Sequence, residues 1–207
     1  MNLYLLRHGE TEWNRVKRLQ GRTDIPLNEN GRAQMRRAAD ILAGLDTGID
    51  RIFSSPLGRA RESAAIVAER LCYPKEEIVT EKLLIERCFG AGEGLTAEQG
   101  KERFPDGLFP DMETSEEIAA RARAMFLKIA GVCEDRENIL LVAHGAIFHA
   151  LMSALVDGRF AWIGREIIRD QGNVYRIRYG ADRTAFGRYD REKKGFAELD
   201  VYEGRVI

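Results

Sequence analysis

Three histidines occur in the 207-residue chain, and two of them stand in the same setting. His8 follows the apolar run "NLYLL" in "LLRHGE", and His144 follows "NILLVA" in "VAHG". Each is placed where a buried strand should end, and His8 has the cation Arg7 beside it. Arg59 lies in the first turn expected for the helix after a third apolar run, "DRIFSS". In an open α/β sheet, ligands bind in the crevice beyond the carboxyl ends of the strands. Three such ends would bring two imidazoles, two guanidiniums and at least one helix N-terminus together. Guanidinium forks and helix N-termini both favour a multiply charged anion, phosphate above all. His149, within "AIFHALMSAL", reads instead as a packed or surface helix residue, and Arg61 as a solvated helix charge. Among the acidic residues, spacing does not separate Glu86 in "LLIERCFG" from Glu81 or Glu93.

Other phosphate chemistries lack their residues. The chain has no G-x-x-x-x-G-K-[ST] loop. Gly90-Ala91-Gly92-Glu93-Gly94-Leu95 lacks the last glycine of a dinucleotide fingerprint. None of Cys72, Cys88 and Cys133 is followed by arginine six residues later, as a cysteine-nucleophile phosphatase would require. No His/Asp cluster has metal-ligand spacing. What remains is a histidine acting on a phosphorylated substrate without metal or cofactor.

The elements that must position these groups follow from periodicity. Short apolar runs alternate with helical patterns, which implies an α/β fold with a mostly parallel sheet and helices on both faces. "ENGRAQMRRAADILAGL" places Met35, Ala38, Leu42 and Leu45 on one helical face. A helix from about Leu57 to Cys72 turns Ala60, Ala64, Val67 and Leu71 inward, and another runs from about Ala146 to Val156. Thr114-Ser115-Glu116-Glu117 is a capping-box signature that opens a helix to Cys133, with Ile118, Ala122, Met125 and Ile129 on its face. "NVYRIRY" and a hairpin around "DREKKGFAELDVY" read as edge strands. No repeat or linker interrupts the pattern, so residues 1–207 read as one domain.

Composition narrows the setting. With 44% hydrophobic and 31% charged residues the chain has the makings of an ordinary core. A formal net charge of -1 gives no basic excess for nucleic acid. No apolar run approaches the roughly 18 residues of a membrane span, and no signal-peptide pattern opens the chain. Three scattered cysteines suit reduced thiols and a cytoplasmic location. The oligomeric state stays open, a homodimer included.

Five segments, "LLRHGETEWN", "RLQGRTDIPLNENGRAQ", "SSPLGRARESA", "LIERCFGAGEGLT" and "LLVAHGAI", together resemble the successive motifs of the histidine phosphatase superfamily, phosphoglycerate-mutase-like branch. They occur in family order over roughly residues 1–155. The resemblance implies a three-layer α/β/α sandwich. It implies that His8 is the nucleophile, that Arg7, Arg59 and His144 surround the phosphoryl oxygens, and that Asn14 is a further phosphate contact. Gln20, Gly21 and Gly145 would line the pocket. Glu86 would protonate the leaving oxygen and then activate water. The expected substrate is a small phosphorylated metabolite.

Two departures fall in the segment expected to cover the pocket. Gly92 stands where the family often has a bulky aromatic, and Asp111-Met112 stand where it usually has two glycines. The leading reading is a phosphatase for small phosphomonoesters. A cofactor-dependent phosphoglycerate mutase is the nearest rival, and a catalytically silent binding domain is the third. Mutases resembling this chain carry a long insertion after the position of Glu86, with an arginine pair and a lysine. Here only "RCFGAGEGLTAEQGKERFPDGLFPDM" separates Glu86 from the helix near Thr114. Gln20 before Gly21 also looks like the phosphatases, since mutases tend to have threonine there.

Overall fold

A computed structural model describes residues 1–45, 48–134, 136–155, 170–179, 184–200 and 205–206. In chain order the elements are β1 (Asn2–Arg7), α1 (Glu12–Arg15), α2 (Glu29–Ala43), β2 (Arg51–Ser54), α3 (Gly58–Arg70), β3 (Val79–Thr80), α4 (Ala97–Arg103), α5 (Ser115–Val132), β4 (Asn138–Ala143), α6 (Gly145–Leu155), β5 (Val174–Tyr179), β6 (Thr184–Asp190), β7 (Gly195–Asp200) and β8 (Arg205–Val206). Short 3-10 turns lie at Lys75–Glu77, Lys82–Leu84 and Gly90–Gly92.

The sheet order is β3-β2-β4-β1-β5-β6-β7-β8. The strands β3, β2, β4 and β1 are parallel to their neighbours, and β5 onward is antiparallel. The strand alternation sorts the core into two layers. Leu3, Leu5, Ile139 and Leu141 pack with Ile118, Met125 and Ile129 of α5 and with α6. Tyr4, Leu6, Leu140 and Val142 face the other way, onto Met35 and Leu42 of α2 and Val67 of α3. That is a three-layer α/β/α sandwich over a mixed sheet. β1 and β4 sit at its centre with both faces covered, which is why they are continuous apolar runs.

Helix starts are set by caps. Thr114 accepts from Glu117 N while the Glu117 carboxylate accepts from Thr114 N, the capping box expected from the sequence. Thr11 with Asn14 and Thr96 with Gln99 form two more, at α1 and α4, which periodicity could not flag in helices this short. α3 has no cap from its own Leu57; Asp24, far away in sequence, accepts from Gly58 N at 2.5 Å instead.

One strand assignment is corrected. "NVYRIRY" is no edge: β5 lies between β1 and β6. Its interleaved Arg176 looked solvated, but the guanidinium lies 4.2 Å above the Phe196 ring centroid, so the arginine stem covers apolar surface. The hairpin about "DREKKGF" is present as β6 and β7. Val156, Val201 and Tyr202, ends of two expected elements, lie outside the described residues.

Candidate active site

The parallel register puts the two histidines side by side. β1 pairs Leu6 with Val142 and Arg7 with Ala143, and the ladder runs one step further, His8 N donating to Ala143 O at 2.9 Å. His8 and His144 therefore leave neighbouring strands at one level, with ring centroids 5.0 Å apart and planes at 59°. β2 adds Ser55, whose N–H donates to Val142 O at 3.0 Å and whose hydroxyl lies 2.7 Å from His144 Nε2.

His8 has one nitrogen fixed and one bare. Nδ1 lies 2.7 Å from Gly9 O, a partner that can only accept, so Nδ1 carries the proton. Nε2 then keeps its lone pair, and Arg59 Nε donates toward it at 3.3 Å. The Arg59 side chain, 1% exposed, is itself gripped by backbone: Nη2 donates to Gly21 O at 2.7 Å and Nη1 to Thr23 O at 2.8 Å. Asp24 Oδ1 lies 3.5 Å from Nη1.

The carboxylates now separate. Glu81 is buried and paired with Lys128. Glu93 accepts from Arg22 N, Thr23 N and Phe89 N at 2.9, 2.9 and 3.1 Å, and from the Thr23 hydroxyl at 2.5 Å. It thereby clamps the turn that supplies the Arg59 carbonyls to the loop that carries Glu86. The turn must be glycine at 21: φ is +56°, and a Cβ would lie 2.0 Å from Glu93 Oε1. Glu86 alone of the three lines the cavity. Its Oε1 accepts from Arg87 N at 2.9 Å and its Oε2 from Ala146 N, at the start of α6, at 3.4 Å.

A cavity of about 580 Å³ opens over these groups. Arg7, His8, Asn14, Gln20, Gly21, Arg59, Glu86 and Gly145 all line it. His144, fully buried, stands beside His8 and behind the wall. Asn14 Oδ1 accepts from Thr11 N at 3.2 Å and from Gln171 Nε2 at 2.6 Å, which turns its amide group into part of the rim. Arg61 is exposed and away from this cavity.

Burial and the neighbouring guanidiniums push both histidines well below the ordinary imidazole value. For His8 burial is the largest cause, then Arg59 and Arg7. For His144 burial again leads, followed by His8 and Arg59. Burial also lowers Arg7 and Arg59, and the nearby Glu86 charge opposes this in both. The floor is thus neutral imidazole held among cations, a surface that favours a dianion and keeps a histidine nucleophile unprotonated.

Several participants escaped the sequence reading. Ser55, Asp24 and Glu93 work through partners remote in the chain, and no spacing rule reveals such pairs. His149 is 8% exposed and lies on the cavity wall, one turn beyond Gly145 and Ala146. Its five-residue step from His144 puts it on the same side of α6, a signal that was available. Among the described residues no three His, Cys, Asp or Glu side chains converge as a metal would need, and no helix is long and apolar enough to cross a membrane.

A parallel-sheet sandwich with two histidines at adjacent strand ends and an arginine-lined anion cavity defines a histidine phosphatase fold and site. The chain belongs to the histidine phosphatase superfamily (branch 1), whose profile matches residues 3–191. It is 40% identical to a Bacillus subtilis (strain 168) protein described as uncharacterized phosphatase PhoE, over 74% of this chain and 77% of that one. It is 33% identical to a probable phosphoglycerate mutase GpmB of Enterobacter sp. (strain 638), over 86% and 85% of the two chains. Among solved structures it resembles a mycobacterial glucosyl-3-phosphoglycerate phosphatase complexed with VO3, with a TM-score of 0.75 and 28% identity over 85% of this chain and 92% of that one.

Proposed function

We infer that the protein hydrolyses small phosphomonoesters through a phosphohistidine on His8, without a metal. The observation that carries this reading is the fixed tautomer of His8: Nδ1 on Gly9 O at 2.7 Å, Nε2 bare at the cavity with Arg59 beside it. In the first step Nε2 attacks phosphorus, the bond to the ester oxygen breaks, and Glu86 gives that oxygen its proton. In the second, Glu86 takes a proton from water, which attacks phosphorus and releases inorganic phosphate with His8 restored. Arg7 and Arg59 hold the equatorial oxygens as charge shifts, in a pocket already organised for it. Splitting hydrolysis into two displacements lets one pocket serve both. The free cysteines suit a reducing compartment such as the cytoplasm.

The mutase reading requires free cations to grip a second anionic group while the substrate turns. Arg18 and Arg87 line the cavity, but Arg18 donates to Gly94 O and to Gln99, and Arg87 to Glu113 O at 2.9 Å. That engagement favours hydrolysis. The test is incubation with 3-phosphoglycerate and catalytic 2,3-bisphosphoglycerate, following 2-phosphoglycerate and free phosphate. Phosphate release is expected; rapid isomerisation without it makes the chain a mutase. For the acid, Glu86→Gln should slow alkyl esters about a hundred- to ten-thousand-fold. It should slow an aryl ester with a good leaving group much less, and equal losses would remove Glu86 from the role.

A further inference from the structure

The phosphate end occupies only the floor of the cavity. Pockets of about 300–1,000 Å³ take whole organic molecules, so about 580 Å³ leaves an outer chamber for the leaving alcohol. The chamber is built from the cover segment after α4. Phe104, Phe109 and Met112 line it, with Phe89 on the facing loop.

Phe109 is held in a slot made by two glycines. A Cβ on Gly92 would lie 2.5 Å from Phe109 Cδ2, and one on Gly100 would lie 3.3 Å from Phe109 Cζ. The ring thus rests on bare backbone from the Gly90–Gly92 turn and from α4. Phe104 meets it edge-on, centroids 5.4 Å apart and planes at 88°. The segment is pinned beside the ring as well: Ala91 N donates to Pro110 O at 3.0 Å, and a Cβ on Gly90 would lie 1.9 Å from the same oxygen. Gly92 is therefore no gap in the wall. Phe109, brought in from the cover, fills the place that an aromatic at 92 would take.

Resting on the hydrolase reading, we propose that this chamber is an apolar leaving-group subsite, that Phe109 seated on Gly92 and Gly100 sets its specificity, and that the preferred substrates are phosphomonoesters of alcohols with a flat apolar body. Edge and face contacts from two phenyl rings favour a planar apolar group over a hydrated polyol. Polar competition is weak on the wall, because Arg18 and Arg87 donate to the protein's own carbonyls. Lys17 and Lys101 stand exposed at the mouth, where water and salt screen an ammonium.

The experiment compares binding and turnover for paired ligands. Binding is measured by calorimetry with naphthylmethylphosphonate and 3-hydroxypropylphosphonate, which cannot be hydrolysed, and turnover with 1-naphthyl phosphate and glycerol 3-phosphate. The expected result is tighter binding of the naphthyl phosphonate and a higher kcat/KM for the naphthyl ester. Phe109→Ala should lower that kcat/KM roughly tenfold, mainly through KM, the scale of one aromatic contact. It should leave glycerol 3-phosphate and the inhibition constant of inorganic phosphate within about twofold. Gly92→Ala, which pushes the ring from its slot, should follow Phe109→Ala in direction, and Phe109→Leu should retain part of the preference. Equal affinity for the two phosphonates overturns the proposal, as does an equal loss on both esters in Phe109→Ala with phosphate inhibition intact. A protein that prefers the naphthyl phosphonate yet releases phosphate from no ester supports the chamber and contradicts the hydrolase reading alone.

Discussion

The floor and the outer chamber of the cavity are built by opposite means. On the floor, His8 and His144 are set by a parallel ladder, and Arg59 is held by two carbonyls and a carboxylate. In the outer chamber the wall is a loop seated on glycines, with ring packing and one backbone hydrogen bond as its main ties. The floor has the rigidity that transition-state stabilisation needs, since misplacement by an ångström is costly in rate. The chamber can change with a few side chains and leave the reaction alone. Chemistry and selectivity are thus assigned to different structural materials, the sheet and the cover loop.

The division can be broken most sharply at Arg59. Arg59→Lys keeps the charge and loses the fork that reaches Gly21 O, Thr23 O and His8 together. The expected cost is on the order of 10²- to 10³-fold in kcat, the range for removing a preorganised transition-state donor. It should be alike for naphthyl and glycerol esters. A loss confined to one leaving group would mean that floor and chamber are not separate.

The floor should also carry a stability cost that the chamber does not. His8 and His144 are buried neutral, with folded values depressed by burial and by Arg59 and Arg7. Unfolded, each titrates near 6.5. Below about pH 6.5 the unfolded chain therefore binds more protons, so stability is full above that pH and falls as pH drops toward the folded values. Each histidine contributes a slope of at most about 1.4 kcal/mol per pH unit in that window. Urea unfolding at a series of pH values should show this fall, and His8→Asn should make it shallower. An unchanged slope in that variant would place the acid sensitivity elsewhere.

The smallest expected effect lies in the cover. Asp111 has φ +60°, the left-handed region that suits glycine, and aspartate is one of the few side chains that tolerates it. The backbone has kept the shape of the family's glycine while the residue has changed. Asp111→Gly should raise stability by about 0.5 kcal/mol, relief of that strain being partly offset by the freer unfolded glycine. Denaturant midpoints measure it, and kcat should not move. A loss of stability would show that the aspartate side chain holds the cover.

The same contrast explains what could be read from the sequence. The floor was legible because its residues follow apolar strands directly, and strand ends converge in an open sheet. Arg7, His8, Asn14, Gln20, Gly21, Arg59, Glu86 and Gly145 meet at one cavity. The choice of Glu86 over Glu81 and Glu93 was not legible from spacing, because all three sit in irregular backbone and only their partners differ. β5 was misplaced at an edge because Arg176 conceals its burial behind a stacked guanidinium. The meaning of Gly92 was hidden for a similar reason, since the ring that fills its place comes from a residue 17 positions later, a contact that neither periodicity nor composition encodes.

The central claim is that His8 carries the phosphoryl group. Mixing the protein with radiolabelled ester and quenching in alkali within milliseconds should trap a base-stable, acid-labile adduct. Proteolysis should place the label on the peptide containing His8, and a chase with unlabelled ester should move it into inorganic phosphate. Label on His144, His149 or Cys88, or steady turnover with no labelled protein at any time, would contradict it.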